Sequence, residues 1–244
     1  ITSSFVIPCS TFFIQLIIIL ALACEEPVAV PDSAASEKRR IQSANDSIMQ
    51  EARQIIQTGD LLLRTGTDFS SDQVKDLCKV DKTFSHGGIA VIENDIIYVY
   101  HVEPDYYYVR DKVRKELLDS FWNPANNYGF GIARYNLSSG ETATFISYLE
   151  EQYRKKIPFD MKFNLETDDQ LYCSEMIKKG LARSTQHRIT IATDSLNDRS
   201  KYRLIKRYFK LEEKQFANRE VVMVDRLFVN PHCSLIKKYL FTGH

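Results

Sequence analysis

Between residues 86 and 103 the chain reads His-Gly-Gly-Ile-Ala-Val-Ile-Glu, then Asn94-Asp95, then Ile-Ile-Tyr-Val-Tyr-His-Val-Glu. Two runs rich in β-branched and aromatic residues, parted by two turn formers, specify an antiparallel hairpin. This stretch constrains the fold more than any other, because a two-residue turn also sets the register. Glu93 then faces Ile96, and paired residue numbers sum to 189. In that register His86 faces Glu103 and Gly88 faces His101. Side chains alternate with period two, so His86, Gly88, Ala90, His101 and Glu103 share one face. His86 and His101 become diagonal neighbours within reach of each other's rings. Gly88 and Ala90 leave space on that face for something to sit.

The rest of the chain supplies helices to cover a sheet. Residues 41–58 read as a helix with Ile48, Ala52, Ile55 and Ile56 on one side and Gly59 as its stop. Residues 60–64 form a short buried strand, and Ser70 or Ser71 caps a helix through about Val80. A charged helix is expected over 110–121, a strand over 128–135, and a helix from Glu141 to about Lys156 capped by Ser138 or Ser139. Residues 189–192 fit a strand or a loop, 197–209 a helix basic on one side, and 221–224 a strand. The tyrosines at 106–108 read as strand or packing surface, with ligand stacking as the functional alternative.

Leu171-Tyr172-Cys173-Ser174-Glu175 places a cysteine at the first turn of a helix whose apolar stripe is Met176, Ile177, Gly180 and Leu181. A thiol there has backbone N–H groups and the positive end of the helix dipole beside it, which lowers its pKa. The competing reading is a small buried cysteine sealing the helix.

The N-terminal stretch has the character of an export signal. Residues 12–23 are almost wholly apolar and end in Ala21-Leu22-Ala23-Cys24. Twelve residues are short for a spanning helix and right for a signal-peptide core. The ending resembles a bacterial lipobox, with Cys24 the residue to be acylated; ordinary secretory cleavage near Ala23 is the alternative. Expected boundaries are therefore a leader over 1–24, a flexible tether over 25–40 and a single domain over 41–244. The expected location is the bacterial cell envelope, membrane-anchored or periplasmic. Only Cys78, Cys173 and Cys233 then remain in the domain, too few for a disulfide framework and without the spacing of a zinc site. Lys plus Arg and Asp plus Glu number 32 each, and this balance gives no footprint for nucleic acid. No dinucleotide fingerprint or phosphate loop is present, so no cofactor or metal is expected.

Thiol acyl transfer needs a cysteine at a helix N-terminus, a histidine to take its proton and a polar group to orient that histidine. Cys173, His86, and His101 or Glu103 supply that set. His187, His232 and His244 lie in loop or tail contexts.

Gly59-Asp60-Leu61-Leu62, Ser85-His86-Gly87-Gly88-Ile89-Ala90, Phe159-Asp160 and Leu171-Tyr172-Cys173-Ser174-Glu175 together resemble the YiiX-like branch of the NlpC-type cysteine hydrolases. The likeness runs from about residue 56 to 183. It implies an α+β, permuted papain-like fold, an antiparallel sheet packed against the helix that carries the nucleophile. Cys173 is then the nucleophile, His86 the general base and His101 the third residue, with Glu103 as the alternative. The implied activity is cleavage of an amide in a peptidoglycan stem peptide, another peptide or an amidated amino acid. A lipid acyl hydrolase or acyltransferase and a non-catalytic envelope-binding domain are the alternatives. The expected partners are a peptide or cell-wall fragment, a lipid under the second reading, and the membrane through the N-terminal anchor.

Overall fold

The structure, a computed structural model, describes residues 33–104, 112–196 and 219–244, together with Tyr202, Lys206, Glu212 and Glu213. The expected leader with Cys24, the tyrosines at 106–108 and most of the expected helix 197–209 lie outside the described residues.

The first helix, α1 (Ser33–Ile55), begins at Ser33 rather than Ile41, inside the stretch read as a tether. Ser-Ala-Ala-Ser-Glu-Lys-Arg-Arg offers good helix formers and an i,i+3 pair, Glu37 with Arg40 at 2.7 Å. Gly59, at φ +94°, turns the chain into strand β1 (Leu61–Gly66). Helix α2 (Phe69–Leu77) is capped by Asp68, which accepts from the N–H of Ser71 at 3.1 Å, not by Ser70 or Ser71. The hairpin forms as read: β2 (His86–Glu93) and β3 (Ile96–His101) pair antiparallel, with Glu93 opposite Ile96 and Ile89 opposite Tyr100. Asn94 and Asp95 have φ of 48° and 63°, the left-handed pair that a two-residue hairpin turn requires.

The expected charged helix over 110–121 is replaced by strand β4 (Arg114–Leu117) and a single turn, α3 (Leu118–Phe121). Arg114, Lys115 and Glu116 are charged because β4 is an edge strand, where charge blocks further pairing. Strand β5 (Asn127–Tyr135) and helix α4 (Ser139–Lys155) match expectation, the latter with a capping box between Ser138 and Glu141. Helix α5 (Cys173–Ser184) follows. Ile189 and Ile191 are buried in a loop, and the expected strand 221–224 shrinks. A two-residue strand, β7 (Glu220–Val221), pairs β6 (Asp194–Ser195), and the chain then enters α6 (Val224–Phe228). The last strand is β8 (Cys233–Leu240).

The main sheet has the order β4-β3-β2-β1-β5-β8, antiparallel throughout. Alternation sends Leu61, Leu63, Ile89, Val91 and Tyr100 to one face, where they pack with Phe145, Leu149, Met176, Ile177 and Leu181 of α4 and α5. Leu62, Ala90, Val99, Phe130 and Ile132 go to the other, under Met49 and Ala52 of α1 and Phe121 and Trp122. Both faces are therefore buried. The mixed fold of antiparallel sheet and helices was the one expected.

The C-terminal segment is part of this body. Strand β8 pairs along β5, and Tyr135 donates to the Leu227 carbonyl at 2.8 Å. The buried Asp225 carboxylate accepts the N–H groups of Lys79 at 2.9 Å and Val80 at 2.7 Å, holding the loop that leads to β2.

Candidate active site

Cys173 is the first residue of α5, and the helix start is pinned from several sides. The Tyr172 hydroxyl accepts the N–H of Val222 at 2.8 Å, and Ser174 Oγ donates to the Val222 carbonyl at 2.7 Å. Glu175, fully buried, accepts from the N–H of Tyr172 at 3.2 Å and pairs with Lys179 at 2.8 Å. Burial pushes the Glu175 carboxyl up to about 7 in spite of Lys179.

The sulfur is buried beside the backbone N–H groups of Gly87 and Ser174. Burial pushes the thiol pKa up; those donors pull it back, and the Glu103 carboxylate pushes it up again. The net direction is upward, against the expectation that the helix N-terminus would leave it lowered. Desolvation of the charged form outweighs the donors in the closed protein.

His86 and His101 meet as the register required. His86 Nε2 lies 3.0 Å from His101 Nδ1, and the rings are edge-to-face with centroids 5.2 Å apart. His101 is wholly buried, and its Nε2 lies 3.0 Å from Glu116 Oε2. A carboxylate only accepts, so His101 carries its proton on Nε2 and, as a neutral ring, offers the Nδ1 lone pair to His86. His86 then donates from Nε2 and is left with a basic Nδ1. Burial and the neighbouring Arg64 guanidinium hold His86 well below the usual histidine range, so the ring is neutral.

Sequence reasoning missed Glu116, which had been assigned to a helix. His101 is paired with Arg114 across β3 and β4, so Glu116, two residues on, is its diagonal neighbour on the same face. Reading 114–117 as an edge strand would have found it.

Two further expectations change. The face bearing His86, Gly88 and Ala90 has no free space: a Cβ on Gly88 would stand 2.6 Å from Val99 and 3.0 Å from the His101 Cβ. Phe121 closes over both rings, with centroids 5.8 Å from His86 and 5.0 Å from His101. This is also the face opposite the one on which α5 packs, so the two do not meet across a helix–sheet interface. His86, the first residue of β2, reaches the cleft at the strand's end.

Glu103 is 3.9 Å from His86 Nε2, outside hydrogen-bond range. Its Oε2 is taken by Arg64 and its Oε1 by Arg114 at 2.9 Å. Burial pushes its carboxyl up, but Arg64, the histidines and Arg114 win and hold it down to about 2. Of the two candidate orienting residues, His101 is the one in contact with His86.

Cys173, His86, Glu103 and Arg64 line one cleft of about 730 Å³, while His101 and Glu116 stand behind His86. The thiol and the His86 ring share its wall without a direct hydrogen bond. Cys78 and Cys233 lie elsewhere, and burial pushes each thiol up to about 12. The Gly-Asp and Phe-Asp motifs hold backbone in place. Asp60 is buried against Arg134, at 2.6 Å, and Asp160 accepts the N–H of Lys162 at 2.7 Å to fold the loop beside the cleft.

No family model matches the sequence, and no curated protein matches it significantly. Among solved structures, the fold is similar to that of YiiX from Escherichia coli O157:H7, described as a metalloprotein. The TM-score is 0.60 at 20% identity, covering 75% of this chain and 98% of that one. The likeness establishes a YiiX-like fold.

Proposed function

We propose that the protein is a thiol-dependent hydrolase on a permuted papain-like, NlpC-type scaffold, with Cys173 as nucleophile and His86 as general base. One observation carries this reading: Glu116, His101 and His86 form a chain of hydrogen bonds that leaves a basic nitrogen at the cleft where Cys173 sits on a helix N-terminus. A histidine that merely fills a core has no need of a second histidine and a carboxylate to select its tautomer.

In the resting site the pair is neutral thiol and neutral imidazole. The proton therefore moves as the substrate arrives. His86 Nδ1 takes the Cys173 proton while the sulfur bonds to the carbonyl carbon. N–H groups at the head of α5, with that of Gly87, face the developing oxyanion. The bond to the leaving amine breaks as His86 returns the proton to its nitrogen, giving a thioacyl enzyme. Water then attacks that carbonyl as His86 takes its proton, the carbon–sulfur bond breaks as His86 passes that proton to the sulfur, and the acid departs. We take an amide as the bond cleaved. An exported, envelope-tethered enzyme of this kind would meet peptidoglycan stem peptides and other peptides.

A metal site is the second reading, because His86, His101 and Glu103 offer ligand atoms within 4.8 Å of one another and the YiiX neighbour is a metalloprotein. The residues do not fit it well. Both Glu103 oxygens are held by guanidinium groups, and Arg64 and Arg114 would repel a dication.

The test is purified protein against γ-D-glutamyl dipeptide amides and acyl esters, with Cys173→Ala as control. Turnover of amides that vanishes in the variant supports the reading; turnover of esters alone reverses the bond assignment. Turnover of neither, with no reaction of Cys173 toward a thiol electrophile, would falsify it.

A further inference from the structure

We infer that the Arg64 guanidinium takes the place of a metal ion in this chain. It is the fixed cation that holds Glu103 beside the His86–His101 pair, and it shuts a divalent ion out of donors otherwise spaced for one. The inference goes beyond the hydrolase reading and does not depend on it.

Among the described residues, His86, His101 and Glu103 are the one group of histidine, cysteine and carboxylate side chains gathered closely enough to share an ion. Spacing alone does not forbid a metal. Bonds from a metal to nitrogen or oxygen run about 2.0–2.2 Å, so two donors on one ion lie within about 4.4 Å of each other. His86 Nε2 is 3.0 Å from His101 Nδ1 and 3.9 Å from Glu103 Oε2. The backing is also of the kind that ligating histidines have, since His101 carries a carboxylate, Glu116, on its far nitrogen at 3.0 Å.

Occupancy decides against the ion. Arg64 stands directly opposite His86 across β1 and β2, so the two side chains share one face of the sheet. Its Nη2 donates to Glu103 Oε2 and its Nη1 to Asn127 Oδ1 at 3.2 Å, while the guanidinium carbon lies 5.2 Å from the centre of the Phe121 ring. Arg114 donates to the other Glu103 oxygen at 2.9 Å. A dication needs from a carboxylate its negative charge and a free oxygen; here both already serve cations that the chain carries. A guanidinium keeps its proton at every working pH, so no change of pH releases the site. Arg64 Nε is buried with no partner among the described residues. The side chain is therefore placed for Glu103 and Asn127 rather than for its own full pairing.

The experiment is metal titration of the full protein after chelator treatment, with Co²⁺ followed by its visible absorbance and Zn²⁺ by calorimetry, each ion alone. The native chain should show no histidine-ligated Co²⁺ spectrum. Arg64→Gln should acquire one, and should bind either ion roughly ten- to hundredfold more tightly than the native chain, the range over which outer partners tune a metal site. Arg64→Lys keeps a cation and should behave as the native chain does. Adding Glu103→Gln to Arg64→Gln should abolish the gain. Should Arg64→Gln fail to fold by circular dichroism, Arg114→Gln, which releases the other Glu103 oxygen, should show a smaller gain of the same kind. A native chain that takes up one Co²⁺ and loses it in Glu103→Gln overturns the inference, as does folded Arg64→Gln that binds no better than the native chain. Neither result touches the hydrolase reading, which Cys173→Ala decides.

Discussion

Cys173 and Cys78 are both buried thiols at the ends of helices, and they differ in which end. Cys78 closes α2 at its C-terminal side, where carbonyls gather; its sulfur donates to the Val74 carbonyl at 3.6 Å and lies near the Asp225 carboxylate. Burial and the Asp225 carboxylate outweigh the backbone N–H groups of Asp225 and Val224 there, and the thiol is pushed up to about 12. Cys173 opens α5, with N–H groups of Gly87 and Ser174 turned toward it and a cleft in front. Burial raises both thiols. What separates them is what waits to receive charge once a base approaches, so helix polarity and the neighbouring histidine matter more here than depth.

The comparison is most severely tested by removing each sulfur. Cys173→Ala should abolish alkylation at that site and all turnover, as read by mass spectrometry and substrate assay. Cys78→Ala and Cys233→Ser should leave both within about twofold, and equal labelling of native protein and Cys173→Ala would erase the distinction. Next comes the base: His86→Ala should slow the alkylation of Cys173 by about a hundredfold or more. A slowing of under threefold would mean that the two residues share a cleft without working together.

Glu116→Gln sharpens the argument further back. Its amide can donate to His101 Nε2, which would reverse every proton in the chain and leave His86 with an N–H facing the cleft. Turnover should fall on the order of a hundredfold with the fold intact by circular dichroism, a smaller loss than when the orienting group contacts the base directly. An unchanged rate would reduce Glu116 to a surface partner.

The smallest effects concern pH. The proposed base must be neutral to act, and His86 has a folded pKa well below 6.5, so the acid limb of kcat/KM should lie well below pH 6.5. Arg64→Gln removes a cation beside the ring, and the limb should move to higher pH; movement the other way would contradict the assigned cause. The same shift bears on stability. Below about pH 6.5 the unfolded chain binds a proton that folded His86 refuses, so unfolding free energy should fall with pH from there down to the folded pKa. A urea titration at several pH values measures it.

Much of this site could be read from the residues alone, because it lies where local rules are strong. The Asn94-Asp95 turn set the His86–His101 contact, and the capping pattern around Ser138 and Glu141 placed α4. Glu116 escaped because charge in Arg114-Lys115-Glu116 is shared by solvated helices and edge strands, and only the pairing with β3 separates them. Strand β8 went unseen for a similar reason: Ser234 to Lys238 are all exposed, so no buried stripe marks it. The room assumed beside Gly88 was filled by His101 itself, a close approach that a glycine permits and alternation alone cannot reveal. The fall in the Cys173 pKa failed because a spacing pattern carries no measure of desolvation.

Val222 and Met223 wall the cleft, and Asp225 grips the backbone just ahead of β2, although all three lie some fifty residues beyond Cys173. As the chain leaves the ribosome, Cys173 and His86 therefore emerge well before the wall and the clasp that complete their site. A chain cut before Val222 would hold both side chains without the residues that complete the cleft around them.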